Sequence, residues 1–213
     1  MLFEPKELQA WLNAENVTGV IHVGAHHCEE LGYYRDFLKL SNEQIVWIEA
    51  NPLLVNRCKQ FLPTSIILQG VCSEQAGQIV DFTITKNLHD GNHASSSLLP
   101  LGTHKQHHPQ VVVDRVIQTT TTTVDDLLAP YKETNKANMM NLDVQGAELM
   151  VLKGALNTLQ NIKYIYAEVN EEHLYEGCAL MSELDEWLQP FGFKRVETRM
   201  TQYKWGDALY VKE

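Results

Sequence analysis

The feature that most constrains this chain is a recurring alternation. Short β-branched apolar runs stand at 17–24, QIVWIEA (44–50), SIILQ (65–69), NMMNLD (138–143) and YIYAEV (164–169), and stretches with helical apolar spacing separate them. Strands alternating with helices specify βαβ units on a mostly parallel sheet. Pro5, Leu8, Trp11 and Leu12 predict a short N-terminal helical cover over 1–16, and Cys28 to Leu40 reads as the helix after the first strand. Pro52 opens a helix to about Phe61. Thr123 is placed to N-cap VDDLL, and a helix from Gly146 to about Leu159 presents Leu149, Leu152 and Leu156 on one face. IVDFTIT (79–85) and the β-branched 111–122 are further strands. After a helix marked by Leu184, Trp187 and Leu188, runs 193–198 and 208–212 form a terminal antiparallel hairpin. The expectation is one α/β domain over 1–213, with a sheet of about seven strands and helices on both faces.

Composition narrows the function. Lys and Arg total 17 against 27 Asp and Glu, a formal charge of −10, so there is no basic footprint for a nucleic acid or an anionic membrane. The apolar runs are far shorter than a membrane span, and the acidic start lacks the features of a signal peptide, so a cytoplasmic protein is expected. Cys28, Cys58, Cys72 and Cys178 form no CxxC pair and are expected to stay reduced.

In an open doubly wound sheet, ligands bind beyond the carboxyl ends of the strands. That rule selects residues 22–28, 49–51, 71–73, 143–145 and 168–170. The first turn, HVGAHHCE, has one glycine, Gly24, where a dinucleotide fingerprint wants three, and His26 takes the second position. A nicotinamide-dependent oxidoreductase is therefore disfavoured. A ligand with an amino-acid tail and a nucleoside, such as S-adenosylmethionine, needs only a tight turn and backbone donors. Glu49, 25 residues beyond Gly24, is at the distance where a strand-end acid accepts ribose hydroxyls.

The runs VIHVGAHHCEE (20–30), WIEANP (47–52), ASSSLLP (94–100), TTTVDDLL (121–128), NLDVQGAELMVLKGA (141–155) and WGDALYVK (205–212) together resemble the FkbM family of S-adenosylmethionine-dependent methyltransferases. The resemblance implies a Rossmann-like class I methyltransferase fold and methyl transfer, usually to a hydroxyl of a small molecule or glycan. Carried over by position, it implies that His22, Gly24 and Ala25 line the methionine half of the cofactor. Glu49, with Ala50 and Asn51, would serve the ribose, and 70–73, with Val71 and Cys72, the adenine. The chain departs from the family pattern at His22, where an acid is common, at Cys28, where glycine is common, and at Gln145, where glutamate is common.

Asp143, at the mouth of a strand, is the leading candidate for holding the cofactor amino group or taking the acceptor proton; its alternative role is a helix N-cap. Glu148 is expected in the first turn of the following helix. The polar, histidine-rich 86–110 reads as a functional loop or lid. His89 or His93 is a candidate base, and Ser96 and Glu168 are candidate acceptor contacts. No metal is expected. The alternative, an oxygen-rich magnesium site, would join Asp143, Glu168 and Asn170. A binding protein that keeps the fold without turnover is the second functional reading, motivated by the altered first motif.

Overall fold

The computed structural model describes residues 1–12, 14–131 and 136–213; Asn13 of the expected N-terminal cover lies outside them. The cover is one turn, α1 (Pro5–Leu8), started by Pro5 and by the Glu7 carboxylate accepting from the Glu4 N–H. Leu8 and Leu12 are buried, whereas Trp11 is exposed and reaches Glu197 through its indole N–H.

The main sheet is built from β1 (Val20–Val23), β2 (Ile45–Glu49), β3 (Ile66–Gln69), β7 (Met139–Leu142), β8 (Tyr164–Asn170), β9 (Phe193–Met200) and β10 (Trp205–Lys212). Its order is β3-β2-β1-β7-β8-β10-β9, with β10 antiparallel to both neighbours and the remaining pairs parallel. This is the expected sheet with its terminal hairpin. Chain order reverses between β1 and β7, which places a crevice at their carboxyl ends.

α2 (Pro52–Phe61) begins as its sequence requires, with Asn51 accepting from the Leu53 N–H and Pro52 in the first turn. The segment expected as a helix from Cys28 to Leu40 is helical only over 31–37, and most of that stretch is a π-helical turn, Tyr33–Phe37. This turn buries Tyr34, and Leu38 and Leu40 are buried just beyond it. On the opposite face lie α4 (Val124–Leu128), capped by Thr123 Oγ1, α5 (Glu148–Lys153) and α6 (Met181–Leu188). α5 is shorter than its sequence pattern suggested. Leu152 is buried but Leu156 is 48% exposed, since the chain leaves the helix at Gly154 and turns Ala155 and Leu159 inward instead.

β4 (Val71–Cys72), β5 (Ile79–Asn87) and β6 (Val111–Thr122) form a separate sheet in the order β4-β6-β5. β5 and β6 pair along their lengths as an antiparallel arm, so these strands leave the main sheet altogether. The loop between them is not the structureless stretch expected over 86–110. It carries the short helix α3 (His104–His107), bridges Ser97 to Thr83 and Leu101 to Tyr175, and closes at its base through Leu88 N–H to Gln110.

Candidate functional site

The first turn is shaped by a steric demand. Gly24 has φ +91°, and a Cβ there would meet the Asp143 carbonyl oxygen at 1.7 Å, because β1 and β7 run in register to this point. His26 and Cys28 also adopt left-handed backbone, φ +45° and +59°, which explains why glycine suits both positions. The strain is braced from β2: Glu49 accepts from the His26 N–H (2.7 Å) with one oxygen and from the Asn51 N–H (2.7 Å) with the other. Burial raises the Glu49 carboxyl above its ordinary range, against those amide donors, which favour the anion. Each oxygen keeps a lone pair for a ligand.

A cavity of about 410 Å³ opens where the chain order reverses. Gly24, Glu49, Ala50, Val71, Cys72 and Asp143 line it. Of the residues expected at a cofactor, His22, Ala25 and Asn51 stand behind the wall instead. His22 is fully buried in β1, and its Nδ1 accepts from the Tyr34 hydroxyl (3.0 Å), so that nitrogen is not available to a ligand. Desolvation lowers its pKa and keeps it neutral. Asn51 spends its side-chain oxygen on the α2 cap. Glu30 and Asp207 line the same cavity, where the Met1 amino group stands 3.6 Å from Glu30. Asp207 is an acid inside the otherwise apolar strand WGDALYVK, a sequence signal that marked the position without giving its role.

Asp143 does not cap a helix; α5 starts from Ala147. Its carboxyl is pushed up to about 6 by burial and by the charges of Asp207 and Glu30, while a hydrogen bond from Gln145 opposes the rise. Glu168 shares the rim, and burial with the neighbouring Asp143 holds it well above the carboxylate range. Glu148 stands beneath them, where one oxygen accepts from the N–H groups of Val144 and Gly146 (3.1 Å each), bracing the turn. Burial pushes it to about 7.

The proposed oxygen site for magnesium does not assemble. Gln145 Nε2 sits between the two carboxylates, 2.6 Å from Asp143 Oδ1 and 3.0 Å from Glu168 Oε2, where a cation would have to sit. Asn170 is buried outside the cavity lining. Among the described residues, no cluster of three or more His, Cys, Asp or Glu side chains could hold a metal ion.

The arm and its loop close the other side. Phe82 from β5 and Val71 form a small apolar cluster on which Ala50 and Leu98 pack, and all four line the cavity. His93 lines the cavity, with its Nδ1–H donated to the Thr85 carbonyl, which leaves Nε2 as the free nitrogen. His89 is exposed and outside the cavity. Ser96 lines it too, but its hydroxyl donates to the His93 carbonyl (2.6 Å) and accepts from the Thr85 N–H, so it shapes the loop. Tyr175, Trp205 and His104 complete this side; no sequence motif singled out Tyr175, which arrives from a loop through its bridge to Leu101.

No helix among the described residues is long and apolar enough to cross a membrane. The 2-O-methyltransferase NoeI of Sinorhizobium fredii (strain NBRC 101917 / NGR234) is 28% identical over 156 residues, 70% of this chain and 63% of NoeI. Among solved structures, the methyltransferase FkbM from Methylobacillus flagellatus KT matches with a TM-score of 0.56 at 14% identity, over 98% of this chain and 50% of that one. The magnesium protoporphyrin IX methyltransferase (ChlM) from Synechocystis PCC 6803, with bound SAM, matches at 0.51 and 11% identity, over 98% and 76%. The chain thus spans less than two thirds of NoeI and half of the Methylobacillus protein, and the structural likenesses speak for the fold. The model of the methyltransferase FkbM domain matches residues 22–195, and this chain belongs to that family.

Proposed function

We propose that the chain is an S-adenosylmethionine-dependent methyltransferase acting on a hydroxyl of a small-molecule or sugar acceptor. The observation that carries this reading is the composition of one cavity. It offers a buried strand-end carboxylate, Glu49, an apolar wall of Ala50, Val71 and Phe82, and an acidic end made by Glu30, Asp143 and Asp207 around the Met1 amino group. These suit a vicinal diol, a flat base and a cationic amino-acid tail, the parts of the adenosyl ligand. The name of NoeI, a 2-O-methyltransferase, favours an oxygen acceptor.

When bound, the cofactor supplies a methyl group on a sulfonium, displaced in line by the acceptor oxygen. The chain's contribution is chiefly to hold the reacting atoms on that line and to exclude water. Glu49 fixes one end of the ligand through lone pairs left over from the turn. The carboxylates at the other end compensate positive charge in a cavity drier than bulk water, where such interactions are stronger. The acceptor enters on the side of His93, Ser96, Tyr175 and Glu168. His93, through Nε2, and Asp143 line the cavity where either would take the hydroxyl proton of the acceptor.

Calorimetric titration with S-adenosylmethionine and S-adenosylhomocysteine, NAD as control, tests the reading on wild type and Glu49→Ala. Saturable binding of both adenosyl ligands, weakened at least tenfold by the substitution, is expected; a tenfold loss corresponds to about 1.4 kcal/mol. Absence of binding by wild type overturns the proposal.

A further inference from the structure

Gln145 occupies a position no simple cap or packing role explains. It stands in the turn between β7 and α5 with left-handed backbone, φ +56°, directly before Gly146 at φ +95°. Its side chain is used completely. Nε2 donates to Asp143 and to Glu168, and Oε1 accepts from the Tyr175 hydroxyl (2.5 Å). Its own carbonyl accepts from Ser97 Oγ (2.7 Å). The two carboxylates demand donors, so the amide can be oriented only with nitrogen toward them and oxygen toward Tyr175. Strand ends and the Tyr175 loop thereby meet on one side chain, and the arm's loop on the backbone of the same residue.

We propose that Gln145 is the positioning residue of this site: its amide holds Asp143 and Glu168 side by side and ties that pair to Tyr175 on the acceptor side, while its backbone carbonyl is held by Ser97. Two buried acids on one amide nitrogen resist ionising together, and the pair keeps one proton into the neutral range. A neutral amide is what allows one of them to carry charge toward a ligand. A glutamate of the same shape would remove both donors and add a third acid. The groups around the pair reinforce this. Asp207 of β10, Glu30 of the first turn and Glu148 of α5 add negative charge, the Met1 amino group and His26 oppose it, and the Tyr175 hydroxyl faces Glu168. In its catalytic consequence the inference rests on the methyltransferase reading; the placement of the pair does not.

The test follows the carboxyl carbons of Asp143 and Glu168 by NMR titration in ¹³C-labelled protein, assigned with Asp143→Asn, for wild type, Gln145→Glu, Gln145→Met and Tyr175→Phe. Gln145→Glu should move the Asp143 midpoint up by about one to three units. Gln145→Met, which loses the donors without adding charge, should move it less, and Tyr175→Phe least. The affinity for S-adenosylmethionine should rise with pH through the same midpoint and follow it in each variant, and so should that for S-adenosylhomocysteine, which carries the same ammonium-bearing tail. Thermal melts identify any variant that does not fold, and Gln145→Met and Tyr175→Phe keep the test decisive if Gln145→Glu is one. Midpoints that coincide with wild type in the folded variants overturn the proposal. Displaced midpoints in a protein that binds no adenosyl ligand uphold the positioning role and overturn the methyltransferase reading instead.

Discussion

The two faces of the main sheet solve different problems. Toward α4, α5 and α6 the strands present Ile21, Val23, Met140, Leu142, Ile165 and Ala167, an uninterrupted apolar surface. Toward α1, the π-helical turn and α2, the same strands present a row in register: Trp47, His22, Asn141 and Tyr166. This row is buried and half polar. Tyr34 links it, accepting from Asn141 Nδ2 (2.6 Å) and donating to His22 Nδ1, while Tyr166 donates to Asp207. Alternation along a strand sends every second residue to the same face, so Glu168, two residues beyond Tyr166, and its register partner Asp207 emerge into the cavity above this row. The apolar face supplies stability through burial. The polar one supports a charged site from beneath, at the desolvation cost that buried polar groups carry unless paired.

That contrast is open to direct attack. Leu152→Ala, on the apolar face, should destabilise most, by about 2–5 kcal/mol, because the lost contacts leave a cavity no neighbour can fill; denaturant unfolding reads this. Tyr34→Phe keeps the ring but removes the oxygen shared by His22 and Asn141, and should cost about 1–3 kcal/mol for the stranded partners. A Tyr34→Phe protein as stable as wild type would mean that the polar row contributes nothing to holding its face together. The smallest effect is expected at Leu156→Ala. Although its sequence spacing assigns it to the same stripe as Leu152, it is half exposed, and its truncation should stay within about 0.5 kcal/mol.

The Leu152 and Leu156 pair shows how far periodicity can be read. A helical stripe is legible only while the helix lasts, and the turn at Gly154 ends it; the carbonyl of Ser73, 2.1 Å from where a Cβ would be built there, demands glycine. The strands 44–50 and 164–169 were readable to within a residue or two because their apolar runs are buried on both faces, and 65–69 because its short β-branched run stands out even at the half-buried edge of the sheet. The helix expected at 28–40 was not, since its apolar residues suit a π-helical turn equally well. Gly24, Glu49 and Asp143, selected by their places at strand ends, do line the cavity. His22 does not line it, because its side chain points to the polar row, a matter of strand parity and of Tyr34, 12 residues away.

Local sequence by itself determined the alternation of strands and helices, the caps at Asn51 and Thr123, the glycine of the first turn and the acidic strand ends, all of which depend on neighbours in the chain. Only the tertiary structure decided that β5 and β6 form an arm, that the loop between them closes the cavity, that Glu30 and Asp207 come to line it, and that one glutamine joins two acids to a tyrosine. Those arrangements depend on contacts between residues far apart in the chain, and no local period or spacing encodes them.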